Sequence, residues 1–93
     1  MQFERDEAKN RANYAKHDVS FEIACKVFDD PLVAYLFDRI VDGEERWQAI
    51  GKVLNVPLLV VARTWRDQNG EEIVRIISAR QASFHERRLY EQG

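Results

Sequence analysis

The dipeptide Asp42-Gly43, the best two-residue hairpin signal in the sequence, constrains the chain more than any other feature. Both residues tolerate positive φ, so they form the two-residue turn whose twist matches antiparallel strands. The spacing predicts a hairpin of Tyr35–Val41 with Glu45–Leu54. Two further breaks follow. Asn55-Val56 predicts a second two-residue turn, although Val disfavours positive φ. Gln68-Asn69-Gly70 predicts a three-residue loop with a bulge. The later strands are then Pro57–Arg66 and Glu72–Ala79.

Helical signals flank this meander. Asp6 caps a segment Glu7–Lys16 with Ala8, Ala12 and Ala15 on one face, and His17-Asp18 ends it. Ser20 caps a second segment in which Phe21, Ala24, Cys25 and Phe28 recur at helical spacing. Asp29-Asp30-Pro31 stops that segment, because the residue before proline avoids helical geometry. Ser83-Phe84-His85-Glu86 is a capping box opening a last helix to about Glu91. The expected fold is α+β: a four-stranded antiparallel meander with two N-terminal helices and one C-terminal helix, in the single domain that 93 residues allow.

Composition excludes several classes. AVILMFWYC residues make up 45% of the chain and DEKR 32%, which is globular and not disordered. The longest apolar run, Val56 to Ala62, is too short to cross a membrane as a helix. The N-terminus has no apolar signal region and Cys25 is the one cysteine, so a reducing, cytoplasmic setting is expected. No Walker loop, Cys/His metal spacing or Rossmann fingerprint is present, and no metal or cofactor is expected.

The net charge is −2, divided as −4 over residues 1–46 and +2 over residues 47–93. Ten of the fourteen basic residues are Arg, which favours bidentate contacts to phosphate or carboxylate. The three turns set a register, and that register puts Arg39 opposite Arg46 and Arg63 opposite Arg75. One sheet face then carries these four arginines with Tyr35, Phe37, Gln48 and Trp65. The other carries a core that includes Trp47, Leu58, Val60, Val74 and Ile76. Like charges directly opposite are destabilising, so an anion should compensate them. Either a phosphodiester does so, or acids such as Glu4, Asp6, Glu7, Asp29 and Asp30 fold over the face. No strand carboxylate is expected among the arginines. Cys25 and Trp47 read as packing, and Trp65 as either packing or base stacking.

Several stretches run in the order seen in BrnT toxins. They are Asp6-Glu7-Ala8-Lys9, Lys16-His17, Val19-Ser20-Phe21-Glu22, Val27-Phe28-Asp29-Asp30-Pro31, Gly43-Glu44-Glu45-Arg46-Trp47, Arg75-Ile76-Ile77-Ser78-Ala79-Arg80 and Glu86-Arg87-Arg88. Nearly the whole chain resembles that family, with departures at Arg5, Asp18 and Asn55-Val56. The resemblance implies a RelE-like ribonuclease toxin of a bacterial type II toxin–antitoxin system, which halts translation by cutting RNA without a metal. It also implies a cognate ribbon-helix-helix antitoxin, similar to BrnA, through which the complex meets operator DNA. Combined with the arginine face, this makes Arg46, Arg63 and Arg75 the candidate phosphate-holding catalytic residues. Arg39, Trp65 and Arg80 become candidate RNA contacts, with pairing to an acid the alternative for Arg80. His17 and Tyr90 are candidate proton carriers, with catalysis by charge and orientation alone as the other reading. A non-catalytic module gripping nucleic acid or an acidic protein through the arginine face is the alternative function.

Overall fold

The computed structural model describes all 93 residues. The order is β1 (Gln2–Glu4), α1 (Glu7–His17), α2 (Phe21–Cys25) continuing into a 3₁₀ turn (Lys26–Asp29), β2 (Ala34–Val41), β3 (Glu44–Gly51), β4 (Leu59–Gln68), β5 (Glu71–Gln81) and α3 (Phe84–Gln92). The sheet has five strands, not four, in the order β1-β5-β4-β3-β2, and it is mixed, because β1 joins β5 in parallel. Three residues with no alternating run carry no local strand signal, so β1 is absent from the sequence reading.

The caps form as expected. Asp6 accepts from the Ala8 and Lys9 amides, Ser20 from Ile23, and Ser83 with Glu86 closes the capping box. Phe21, Ala24 and Val27 are fully buried and form the main core with Ala49, Leu59, Val61, Val74 and Ile76. In helix α1 the alanine face is the outer one. Ala8, Ala12 and Ala15 face solvent, and its inward residues are Asn10, Asn13 and His17. Asn13 is buried and spans two elements: its Nδ2 donates to the Val19 and Ala79 carbonyls at 2.9 Å, and its Oδ1 accepts from the Ala79 amide at 3.1 Å. Asn10 Oδ1 accepts from the Phe21 amide.

Register decides the rest. Asp42 and Gly43 have φ of 51° and 76°, and Val41 pairs with Glu44 as expected. An extra residue, Asp38, then bulges from β2, so Phe37 meets Trp47 and Tyr35 meets Ala49. Asn55-Val56 is not a two-residue hairpin turn. The connection runs from Lys52 to Leu58, and Trp47, not Gln48, pairs with Arg63. The third connection is the two-residue turn Asn69-Gly70, with φ of 54° and 83°. A bulge at Ile77 separates the Arg63↔Ile76 pair from Ala62↔Ser78. A one-residue slip inverts every side chain of a strand, so the slip at β3–β4 moves Arg63 and Trp65 to the opposite face from Arg46. The slip at β4–β5 inverts again and returns Arg75 to Arg46's side.

The second face is capped at one end by α3, whose Leu89 and Tyr90 pack on Ile50, Leu58 and Val60. Two polar ties hold α3 down. Arg80 grips Glu86 with bonds of 2.7 and 2.8 Å, and the Tyr90 hydroxyl donates to Asp30 Oδ2 at 2.6 Å. The Arg80 bonds, helped by the Ser83 cap, draw the Glu86 carboxyl from an ordinary 4.5 to about 2 against the effect of burial. A depressed carboxylate stabilises the fold above its unfolded value and loses that contribution as pH falls through its folded value. Glu86→Gln is therefore expected to lower the melting temperature at neutral pH, with the gap to wild type closing between about pH 5 and about pH 2. A gap independent of pH would show that the ion pair is not its source.

Candidate active site

Arg63 lies in the middle of β4, on the face covered by α1 and α2. It is 6% exposed and has no carboxylate within ion-pair distance, and its Nε is buried without a partner. Its guanidinium carbon sits 4.9 Å from the Tyr35 ring centroid and 5.3 Å from that of Phe28, whose rings stack 6.3 Å apart. Burial pulls the guanidinium below its ordinary pKa, with Tyr35 and Glu72 opposing the shift. Arginine nonetheless stays protonated, so the site holds a poorly compensated cation.

The guanidinium opens into a cleft of about 280 Å³ lined by Met1, Tyr35, Glu45, Trp47, Arg63, Trp65 and Glu72. Strand alternation builds it: Glu45 and Trp47 come from β3, Arg63 and Trp65 from β4, and Glu72 from β5. Each carboxylate is aimed by an indole. Trp47 Nε1 donates to Glu45 Oε1, and Trp65 Nε1 donates to Glu72 Oε2, both at 3.0 Å. The second oxygen of each accepts no hydrogen bond and remains available to a proton. Trp47 is thus half-buried on the cleft wall, edge-on to Phe37 at 5.3 Å, and is not a central core residue. A cation for an anion, two oriented carboxylates and three flat aromatic surfaces converge here.

The expected single arginine face is divided. Arg63 and Trp65 stand in the cleft. Arg39, Arg46 and Arg75 form a row on the opposite face, Arg39–Arg46–Thr64–Arg75–Glu4, crossing all five strands. Strand carboxylates are present after all. Glu44 binds Arg75 through both oxygens, at 2.7 and 3.2 Å, and Arg80 is taken by Glu86. Of the acids expected to fold over the arginines, Glu4 does pair, but with Arg66. Arg46 has no acidic partner, and its Nε is buried and unbonded.

His17 ends α1, half-buried, and does not line the cleft. Tyr90 is equally absent from it, and its bond to Asp30 pushes its pKa up to about 12, which holds its proton in place. Burial raises the Asp30 carboxyl, but the Tyr90 hydroxyl and the Leu32 and Lys52 amides outweigh it and hold the group low. Glu45 and Glu72 were missed as site residues. The available signal was Glu45-Arg46-Trp47, where the acid and the indole two residues on share a face whatever the register.

Fold and cleft together define a small α+β protein whose sheet presents a buried arginine, aromatic walls and carboxylates to one open cleft. Residues 6–86 match the family described as the ribonuclease toxin, BrnT, of type II toxin-antitoxin system, and the chain belongs to that family. Among solved structures it is similar to the ribonuclease toxin BrnT of Brucella abortus, with 29% identity and a TM-score of 0.61, covering 89% of this chain and 97% of that one. No functionally curated protein matches the chain. Membership identifies it as a ribonuclease toxin with an antitoxin partner. No helix is long and apolar enough to cross a membrane.

Proposed function

We propose that the Arg63 cleft is the ribonuclease centre and that it cleaves RNA without a metal ion. The supporting observation is Arg63 itself: a buried, unpaired cation facing two oriented carboxylates across aromatic walls. Arg63 binds the non-bridging oxygens of the scissile phosphate and stabilises the charge that gathers there. Trp47, Trp65 and Tyr35 stack the flanking bases and hold the ribose 2′-oxygen in line with phosphorus. Glu45 is half-buried, whereas Glu72 is exposed. Glu45 takes the 2′-hydroxyl proton as the 2′-oxygen bonds to phosphorus. The bond to the 5′-oxygen breaks on the opposite side of phosphorus, and that oxygen takes a proton from solvent water while Glu45 returns its proton to solvent. The products are a 2′,3′-cyclic phosphate and a 5′-hydroxyl.

In the cell this activity cuts RNA in the cytoplasm and halts translation, and a ribbon-helix-helix antitoxin of the BrnA type restrains it and carries the complex to operator DNA. Arg46, Arg75, Arg39, Arg80 and His17 lie outside this centre.

The test is incubation of end-labelled single-stranded RNA with purified protein in EDTA. Cleavage should follow the protein peak, survive the chelator and leave cyclic phosphate ends. Tight binding with no cleavage would favour the non-catalytic module.

A further inference from the structure

Strand β2 is the longer of the sheet's two edge strands: eight residues paired to β3 on one side and to nothing on the other, against three in β1. Such an edge presents a row of unpaired amides and carbonyls, a template for one more strand. Its exposed side chains are unusual for a free edge. Tyr35, Phe37 and Ile40 are 44%, 52% and 62% exposed. Arg39 extends on the opposite side, directly across from Arg46. The nearest acid to Arg39 is its own neighbour Asp38, 4.0 Å away, and Arg46 has none. The edge is therefore apolar on the cleft side and carries on the other two facing arginines whose one ion-pair contact is the long Arg39–Asp38 pair.

We infer that β2 is the docking site for an extended segment of the antitoxin, added to the sheet as a sixth strand. The complementary segment alternates apolar residues, laid against Tyr35, Phe37 and Ile40, with a carboxylate opposite Arg39 that also answers the charge of Arg46. A second copy of this chain fits less well. Self-pairing brings no free acid, since the one carboxylate of β2 is Asp38, displaced in the bulge, and it adds a second Arg39 to the cationic side. Bulges and edge charges discourage self-association in just this way while leaving an acidic partner welcome. Tyr35 is also a wall of the Arg63 cleft, so a strand beside it stands at the rim where substrate must enter. The inference rests on the antitoxin partner that family membership implies, and not on the chemistry assigned to Arg63.

The experiment uses the toxin co-purified with the antitoxin from its own operon, with binding read separately from cleavage. In the complex, the amides of residues 34–41 should exchange at least about tenfold more slowly than in the free toxin, as expected for edge amides that gain partners. Arg39→Glu and Ile40→Glu, both at exposed positions, should each weaken antitoxin binding about tenfold or more, and the Arg39 effect should shrink at high salt. Ile40→Ser, which removes the apolar side chain without setting a like charge opposite Glu45, should also weaken antitoxin binding and leave RNA cleavage by the free toxin unchanged. Unaltered exchange at 34–41 in the complex would overturn the proposal, as would full antitoxin affinity in all three variants. Concentration-dependent protection of β2 in the free toxin would assign the edge to a second copy. Loss of affinity for an uncleavable 2′-O-methyl RNA 12-mer, with antitoxin affinity intact, would assign it to RNA.

Discussion

Arg63→Met is expected to lower RNA cleavage by about 10²–10³-fold, the size of losing one preorganised electrostatic contact to a transition state. The same change should leave the melting temperature unchanged or raised. Arg63 is buried and has no ion-pair partner, so methionine keeps most of the volume and removes the cost of holding a bare cation out of water. The lost attraction to the Phe28 and Tyr35 rings is small beside that cost. Stability and activity should therefore move in opposite directions. A structural arginine predicts the reverse: an earlier melt, with single-turnover cleavage intact at low temperature. Measuring both on one preparation separates the cases, and Arg46→Ala, on the other face, serves as the control.

Asn13→Leu is expected to cost about 3–5 kcal/mol, from the typical penalty of stranding buried backbone groups. Asn13 is the one buried residue of α1, and its amide serves the carbonyls of Val19 and Ala79 and the amide of Ala79. Leucine offers none of these bonds and brings a branched side chain into space shaped for a planar one. For a domain of this size the loss should lower the melting temperature by roughly 15 °C or more. Urea midpoints would check it, and a shift worth less than about 0.5 kcal/mol would mean that α1 is held by other contacts. The prediction reverses the usual view of a surface helix, since here the polar stripe faces inward and the alanines face water.

That inversion shows where the sequence could be read and where it could not. Ser20, with Phe21, Ala24, Cys25 and Phe28, announces α2 and its buried side, because cap and apolar spacing are local and agree. Asp42-Gly43 and the Asn69-Gly70 pair mark turns because each needs positive φ, which few residue types supply cheaply. Asn13 carries no such mark. Its partners, Val19 and Ala79, are chosen by how the helix lies on β5, and an asparagine on an all-exposed helix would be spelled the same way.

The candidate site divides along the same line. The sequence by itself determined that strands rich in arginine would form an antiparallel hairpin series between helices, and that Arg39 would face Arg46. It also carried the family's motifs across nearly the whole chain. Only the tertiary structure decided which arginine meets the aromatic cleft. The connection Lys52–Leu58, the bulges at Asp38 and Ile77 and the two-residue turn at Asn69-Gly70 together set the register. Side chains alternate with a period of two, so each single-residue shift exchanges the faces of a strand. Two shifts restored Arg75 to Arg46, and one separated Arg63 from both. Turn chemistry is written in two or three neighbouring residues, but a bulge is selected by packing between strands far apart in the chain.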